Sequence, residues 1–153
     1  MSAQPAPSAR RQALTPYLIV KDAAKAIDFY VAAFGAVEQY RLDGPDGRIG
    51  HAELQVEDSY FMIADEYPDF GAMSPVSIGG TPVSLHLSVA DVDAAVARAA
   101  AAGGTILRAP KDEFYGDRAG MIADPFGHKW HLATTKQDVS PAEMQTRWNA
   151  MSS

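Results

Sequence analysis

Residues 122–132 read Ile-Ala-Asp-Pro-Phe-Gly-His-Lys-Trp-His-Leu, a tight turn between two apolar segments. In the turn, the proline presets φ, Asp124 caps locally and Gly127 accepts a positive φ. The segment that follows alternates, with Trp130 and Leu132 on one face and His131 on the other. We predict a β-hairpin whose second strand buries Trp130 and directs His131 toward the opposite face of a sheet.

Bulk composition narrows the class of protein. The 153 residues suffice for one domain or two small repeats, and 47% hydrophobic with 21% charged residues is ordinary for a globular chain. A net charge of −6 argues against nucleic acid and anionic membranes as partners, and the lack of cysteine excludes disulfides and thiolate chemistry. Residues 1–13 predict a disordered leader and no signal peptide, and no membrane span is evident, so we expect a cytoplasmic protein.

The first half of the chain predicts the order β-α-β-β-β. Asp22 is a suitable N-cap for a helix with apolar residues at helical spacing, and Gly35 is a suitable C-terminal stop. Dense turn chemistry at residues 43–47 separates later strands. The predicted strands are residues 15–20, 36–42, 49–56 and 60–64.

The second half repeats this order at an offset of 69 residues. Asp22 then coincides with Asp91, and Gly35 with Gly104, so helix cap and helix stop agree in one register. Such agreement indicates an internal duplication. Ser140 begins a tail helix that exposes Met144 and Trp148. The other predicted elements are strands at 83–89, 105–107, 118–123 and 129–134, a helix at 92–102 and a loop at 111–117.

The duplicated unit resembles the vicinal oxygen chelate superfamily, which includes glyoxalase I, extradiol dioxygenases and bleomycin-resistance proteins. The resemblance rests on residues 18–22 leading to 27–30, on Phe34-Gly35, and on the turn and strand at 124–130. That last motif and the tail at 138–144 resemble the PhnB-like branch. The resemblance implies an α+β fold in which two tandem βαβββ modules form an incomplete barrel with a central cleft. The expected divisions are a leader at 1–13, a first module at 14–66, a linker loop at 67–81, a second module at 82–135 and a tail at 136–153.

The resemblance also implies four metal-ligand positions, two in each module. They fall on Thr15, Met62, Ser84 and His131. Glyoxalase-type sites use His or Glu at all four, and dioxygenase-type sites use two His and one Glu. Two hydroxyls, a thioether and one imidazole would not hold a hard or borderline divalent ion. We therefore expect no metal at these positions.

Other polar side chains share that strand face by alternation: Tyr17, His51, Glu53 and His86. Three interpretations of His86 and His131 stay open. They are hydrogen-bonding groups on a polar cleft wall, ligands together with Glu53 of a displaced divalent metal, or structural residues. Glu53 near imidazoles is a candidate general base, with His131 as its catalytic partner, but an isolated carboxylate is also commonly solvated.

Two functional hypotheses follow. The first is a metal-free protein that binds an antibiotic or metabolite in the cleft, as bleomycin-resistance members do. The second is a glyoxalase- or dioxygenase-like lyase, isomerase or oxygenase that uses Glu53, His86 and His131. Phe114 and Tyr115 lie in the predicted loop at 111–117. We expect this loop either to cover the edge of the cleft as a mobile lip or to pack at a dimer interface. Because the family commonly forms dimers, we expect a homodimer. The candidate ligand-binding residues are Thr15, Tyr17, His51, Glu53, Met62, Ser84, His86, Phe114, Tyr115 and His131.

Overall fold

The computed structural model describes Ala6 and residues 12–151. Most of the predicted leader therefore lies outside the described residues. Its end is attached to the fold, because the Gln12 side chain forms two hydrogen bonds with the backbone of Tyr60. The amide nitrogen of Gln12 donates to the carbonyl at 2.8 Å, and the amide oxygen accepts from the backbone N–H at 3.1 Å.

Two compact units divide the chain, the first ending at Gly80 and the second beginning at Thr81. The predicted α+β fold of two βαβββ modules is confirmed, because both units have the same element order and sheet topology. The strand orders are β1-β4-β3-β2 and β5-β8-β7-β6, each an open sheet that begins with a parallel pair. The first unit contains β1 Tyr17–Val20, α1 Ala23–Phe34, β2 Val37–Asp43, β3 Ile49–Val56, β4 Ser59–Asp65, a 3₁₀ turn at Pro68–Phe70 and α2 Pro75–Ile78. The second contains β5 Ser84–Ser88, α3 Val92–Ala101, β6 Thr105–Asp112, β7 Asp117–Ala123, β8 Lys129–Thr135 and α4 Pro141–Met151.

The predicted helix boundaries are confirmed by their capping bonds. The carboxylates of Asp22 and Asp91 accept hydrogen bonds from the backbone N–H groups of Lys25 and Ala94, both at 3.2 Å. Gly35 ends α1 with φ of 69°, a conformation that glycine adopts at little cost. The two aspartate caps satisfy N–H groups that have no partner within the helix.

Alternation along the strands separates a buried face from a helix-free face in each sheet. In the first unit α1 packs on the face that carries Leu54 and Ile63, both fully buried. In the second unit α3 packs on the face that carries Trp130 and Leu132. The residues between them on each strand point to the helix-free face. His131 lies on that face, as predicted.

Strand β6 corrects the sequence interpretation, because it extends to Asp112. The loop predicted at 111–117 is too long at both ends, since only residues 113–116 separate β6 from β7. Lys111 pairs with Ala119, and Asp112 pairs with Arg118. Because β6 is an edge strand with irregular register, it accommodates Pro110, whose ring removes a backbone donor.

The segment expected to be a linker contains local structure. The Glu66 carboxylate accepts hydrogen bonds from the Ser74 backbone N–H at 2.9 Å and the Ser77 hydroxyl at 2.8 Å, which fixes the start of α2. At the other end, Ser140 caps α4 by accepting from the Glu143 backbone N–H at 3.1 Å, so the tail helix is confirmed. Across residues 12–151, none of the helices has the length and apolar character needed to span a bilayer.

Candidate functional site

The helix-free face of the first sheet carries a continuous row of side chains. Tyr17 pairs with Met62, Met62 with Glu53, and Glu53 with Tyr40, so the row crosses all four strands. Glu53 is only 5% exposed, although it is a carboxylate on the face without a helix. The structure therefore brings together four of the predicted residues, with Tyr17, Glu53 and Met62 in this row and His51 beside it.

His51 lies between two tyrosines on this face. One hydrogen bond joins its Nδ1 to the Tyr17 hydroxyl at 2.8 Å, and another joins its Nε2 to the Tyr40 hydroxyl at 3.1 Å. Because a neutral imidazole has one donor and one acceptor nitrogen, one hydroxyl donates to the ring and the other accepts from it. Burial, and secondarily the neighbouring Tyr40, raises the pKa of Tyr17. The hydrogen bond to His51 thus orients the Tyr17 hydroxyl.

A pocket of about 480 Å³ lies beside this cluster, within the first unit. Tyr17 and Ile19 form its sheet side, and Tyr67 and Phe70 come from the segment after β4. The guanidinium of Arg48 lies over the Tyr67 ring, 4.0 Å from its centroid, which supports that wall by a cation–π contact. Phe70 is 86% exposed and has little packing of its own. The sequence placed these two aromatic residues only within the linker loop expected at 67–81.

The helix-free face of the second sheet has a different chemistry. His86 pairs with His131, His131 with Met121, and Met121 with Arg108. The two imidazole centroids are 4.9 Å apart, with the ring planes at 65°. Burial lowers the pKa of His131, and the nearby His86 and Arg108 lower it further, while Glu113 and Asp117 act in the opposite direction. Arg108 was not predicted, because the strand was expected to end at residue 107.

The remaining predicted residues lie at the margins of these faces. Thr15 precedes β1, and its hydroxyl donates to the Gln12 carbonyl at 3.3 Å. Ser84 begins β5 and pairs with Lys129. Neither residue joins the two rows described above.

The loop between β6 and β7 is held by the tail helix. The Phe114 ring lies 5.5 Å from the Trp148 ring, and the Phe114 carbonyl accepts from the Arg147 guanidinium at 2.8 Å. Burial raises the pKa of the adjacent Tyr115. Phe114 is thus occupied by a contact within its own unit, and Trp148 remains 54% exposed.

The donors present do not suit the divalent metal that the resemblance implies. The four implied positions offer the hydroxyls of Thr15 and Ser84, the thioether of Met62 and one imidazole, a set that hard divalent ions disfavour. Among the described residues, no group of three or more His, Asp or Glu side chains is placed to hold a metal ion. The displaced ligand set of Glu53, His86 and His131 therefore gains no support.

Comparison with known proteins agrees with the fold. The model of the Glyoxalase/Bleomycin resistance protein/Dioxygenase superfamily matches residues 12–132, and the chain belongs to this superfamily. An uncharacterised protein of Mycobacterium tuberculosis, Rv0887c, is 49% identical over 144 residues, covering 92% of this chain and 83% of its own length.

An uncharacterised protein of Arabidopsis thaliana, At5g48480, is 32% identical over 124 residues, covering 75% of this chain and 73% of its own length. The crystal structure of that gene product superimposes with a TM-score of 0.65 at 28% identity, covering 80% of this chain and 98% of the other. A PhnB protein from Bacillus cereus superimposes with a TM-score of 0.62 at 19% identity, covering 81% of this chain and all of the other. The likeness to the PhnB protein shows the fold alone.

Proposed function

We propose that the protein binds a small organic molecule, an antibiotic or a metabolite, on the helix-free faces of its sheets without a metal ion. The observation that carries the proposal is the pocket of about 480 Å³ in the first unit, next to the Tyr17–His51–Tyr40 cluster. Its volume lies within the range of roughly 300–1,000 Å³ of small-molecule sites, and apolar walls with one oriented polar group are typical of them.

The polar recognition in this pocket falls to Tyr17. Asp65 also lines the pocket, but its two carboxylate oxygens accept hydrogen bonds from the backbone N–H groups of Ala23 at 2.9 Å and Ile49 at 2.8 Å. That carboxylate therefore serves the fold, joining α1 to β3. A ligand would use the Tyr17 hydroxyl for a hydrogen bond and the Tyr67 and Phe70 rings for apolar contact, which favours a flat, uncharged portion of an organic molecule.

A thermal-shift screen against antibiotics and metabolites tests the proposal directly. A molecule that binds the native state raises the melting temperature through mass action, and the shift grows with its concentration. Competition between hits and an environment-sensitive dye would then report on the same pocket. A screen in which no compound gives a concentration-dependent shift would argue against small-molecule binding.

We expect the change Phe70→Ala to weaken binding of a screening hit by about three- to tenfold, because an aromatic wall contributes roughly 1 kcal/mol beyond buried area. The unliganded melting temperature should stay nearly constant, since Phe70 is 86% exposed. Leu14→Ala is the matched control, because Leu14 is equally exposed and does not line the pocket. Isothermal titration calorimetry of the three proteins measures the difference. Equal affinities would place the ligand elsewhere.

Catalysis without a metal is the second candidate function, favoured by one observation: Glu53 is a carboxylate that is 5% exposed on the helix-free face. A carboxylate in such surroundings can serve as a general base. If a hit is also turned over, we expect Glu53→Gln to abolish turnover and leave ligand affinity within about threefold. Parallel loss of affinity would indicate that Glu53 serves binding. The change His131→Ala, with turnover and ligand affinity again measured side by side, tests His131 in the second unit in the same way.

We also propose that the protein belongs to the PhnB-like branch, which its turn and tail resemble, and that it forms a homodimer, as members of the family commonly do. We further propose that it is located in the cytoplasm. The exposed Trp148 on α4 is available for a contact between copies. Light scattering during size-exclusion chromatography measures the mass in solution, and a monomer at all concentrations would refute the dimer. Fractionation of the native host tests the compartment.

A further inference from the structure

Arg108 differs from other arginines of the described chain in its surroundings. Within residues 12–151, its guanidinium donates one weak hydrogen bond, from Nη2 to the Met121 sulfur at 3.8 Å, and has no carboxylate partner. A guanidinium without a carboxylate partner retains several hydrogen-bond donors. Four others are each paired with a carboxylate within 4.0 Å: Arg41, Arg48, Arg118 and Arg147.

The two histidines in the same row also retain donors. Within the described residues, the ring nitrogens of His86 and His131 have no hydrogen-bond partner in the protein, and the rings contact each other. His86 is exposed and His131 is half-buried. An imidazolium or imidazole N–H on such a face can donate to a ligand acceptor.

Positive charge also flanks the row on both sides. Lys129, beside Ser84, lies on the same face two residues before His131, and Lys111 lies opposite Ala119 on that face. The positive charge of Lys111 is partly offset by Glu113, because the Glu113 carboxylate lies 3.9 Å from the Lys111 ammonium. This concentration of cationic groups stands in a chain whose net charge is −6.

We propose that the helix-free face of the second unit binds an oxyanion, a carboxylate or phosphate group of the ligand, through Arg108, His86 and His131. The inference rests on the proposed function in one respect: it assumes that these faces take ligands. A guanidinium binds two oxygens of such a group in a bidentate manner, and charge assistance strengthens each bond. The imidazoles donate to the remaining oxygens.

Binding should strengthen as the pH falls. In the free protein, burial, His86 and Arg108 keep the pKa of His131 below its usual value, with Glu113 and Asp117 opposing them. A bound anion favours the charged imidazole and therefore raises that pKa. By linkage, the protein takes up protons on binding, so the affinity for an anion of constant charge increases as the pH falls from the pKa of His131 in the complex toward its lower pKa in the free protein.

The test is an NMR titration of the four histidines with inorganic phosphate and, separately, with acetate at constant ionic strength. We expect either anion to raise the pKa values of His86 and His131 by more than those of His51 and His128, which serve as internal references. A larger response to phosphate assigns a phosphoryl ligand, and a larger response to acetate assigns a carboxylate. Equal changes at all four histidines would overturn the proposal.

Arg108→Gln should weaken phosphate binding by about tenfold, since hydrogen bonds to charged groups are the stronger class. In the absence of phosphate the same change should raise the pKa of His131, because it removes a neighbouring positive charge. The matched control is Arg98→Gln, an identical charge change on α3, which covers the opposite face of the sheet. Equal phosphate affinity in both variants would overturn the assignment of Arg108. The Phe70 experiment on uncharged ligands is independent, so the proposed function and the oxyanion site can fail separately.

Discussion

Asp124→Ala is expected to lower the free energy of unfolding by about 3 kcal/mol or more, because several charge-assisted bonds to one buried carboxylate are lost together. Oδ1 accepts from the backbone N–H groups of Phe126 at 2.9 Å and His128 at 3.0 Å, and Oδ2 accepts from the Trp130 indole N–H at 3.0 Å. Asp124 is 4% exposed and Trp130 is 3% exposed, so water cannot easily replace these bonds. Urea denaturation followed by circular dichroism measures the change.

Two variants separate the causes of that loss. Trp130→Phe removes the indole donor and keeps a ring, so a double-mutant cycle with Asp124→Ala isolates the bond between the two side chains. Asp69→Ala removes an exposed carboxylate of the 3₁₀ turn and should change stability by less than about 0.5 kcal/mol. If Asp124→Ala cost no more than Asp69→Ala, the carboxylate would not organise the hairpin.

The turn at residues 124–127 was predictable from the sequence only in part. The sequence predicts the turn and the burial of Trp130, since both follow from neighbouring residues. The bond from the indole to Asp124 is not predictable in this way, because it depends on how the turn places a carboxylate over a residue six positions later. Capping at Asp22 and Asp91 was predictable because a cap acts within three residues.

The residues of the candidate site were also predictable only in part. Alternation placed Tyr17, Glu53 and Met62 on one face, because the period of a strand is fixed. It could not identify Tyr40 as the second partner of His51, since the register between β2 and β3 contains two irregularities. Arg108 was not predicted as a site residue for a related reason. Pro110 and the charged residues after it are typical of a loop, and only the pairing with β7 shows that the edge strand extends this far.

The internal duplication gives the two sheets equivalent faces that carry different side chains. Tyr17 and Met62 pair in the first sheet, and the residues at the same offset, His86 and His131, pair in the second. The backbone arrangement is thus repeated and the chemistry is not. The first face combines an apolar pocket with a phenol, and the second combines imidazoles with a guanidinium.

Gly116→Ala is the second change with a large expected effect, a loss of about 3 kcal/mol in the free energy of unfolding. Gly116 has φ of +102°, which L side chains rarely adopt. An added Cβ would also collide with the Gln137 carbonyl oxygen and approach Val139 Cγ2 to 2.9 Å. The backbone there has little freedom to move, because the Gly116 carbonyl accepts from the N–H groups of Lys136 at 2.9 Å and Gln137 at 3.1 Å.

Gly79→Ala is the matched control, since Gly79 has φ of +91° and an added Cβ there meets nothing within 4 Å. It should cost only the backbone strain, about 1 kcal/mol, so the difference between the two variants measures the collision. Relief of the collision would move the loop that holds Phe114 against Trp148, 5.5 Å away, and would change the fluorescence of that indole. Equal destabilisation by the two variants, with unchanged fluorescence, would mean that strain alone accounts for the glycine and that the loop is not held by the segment after β8.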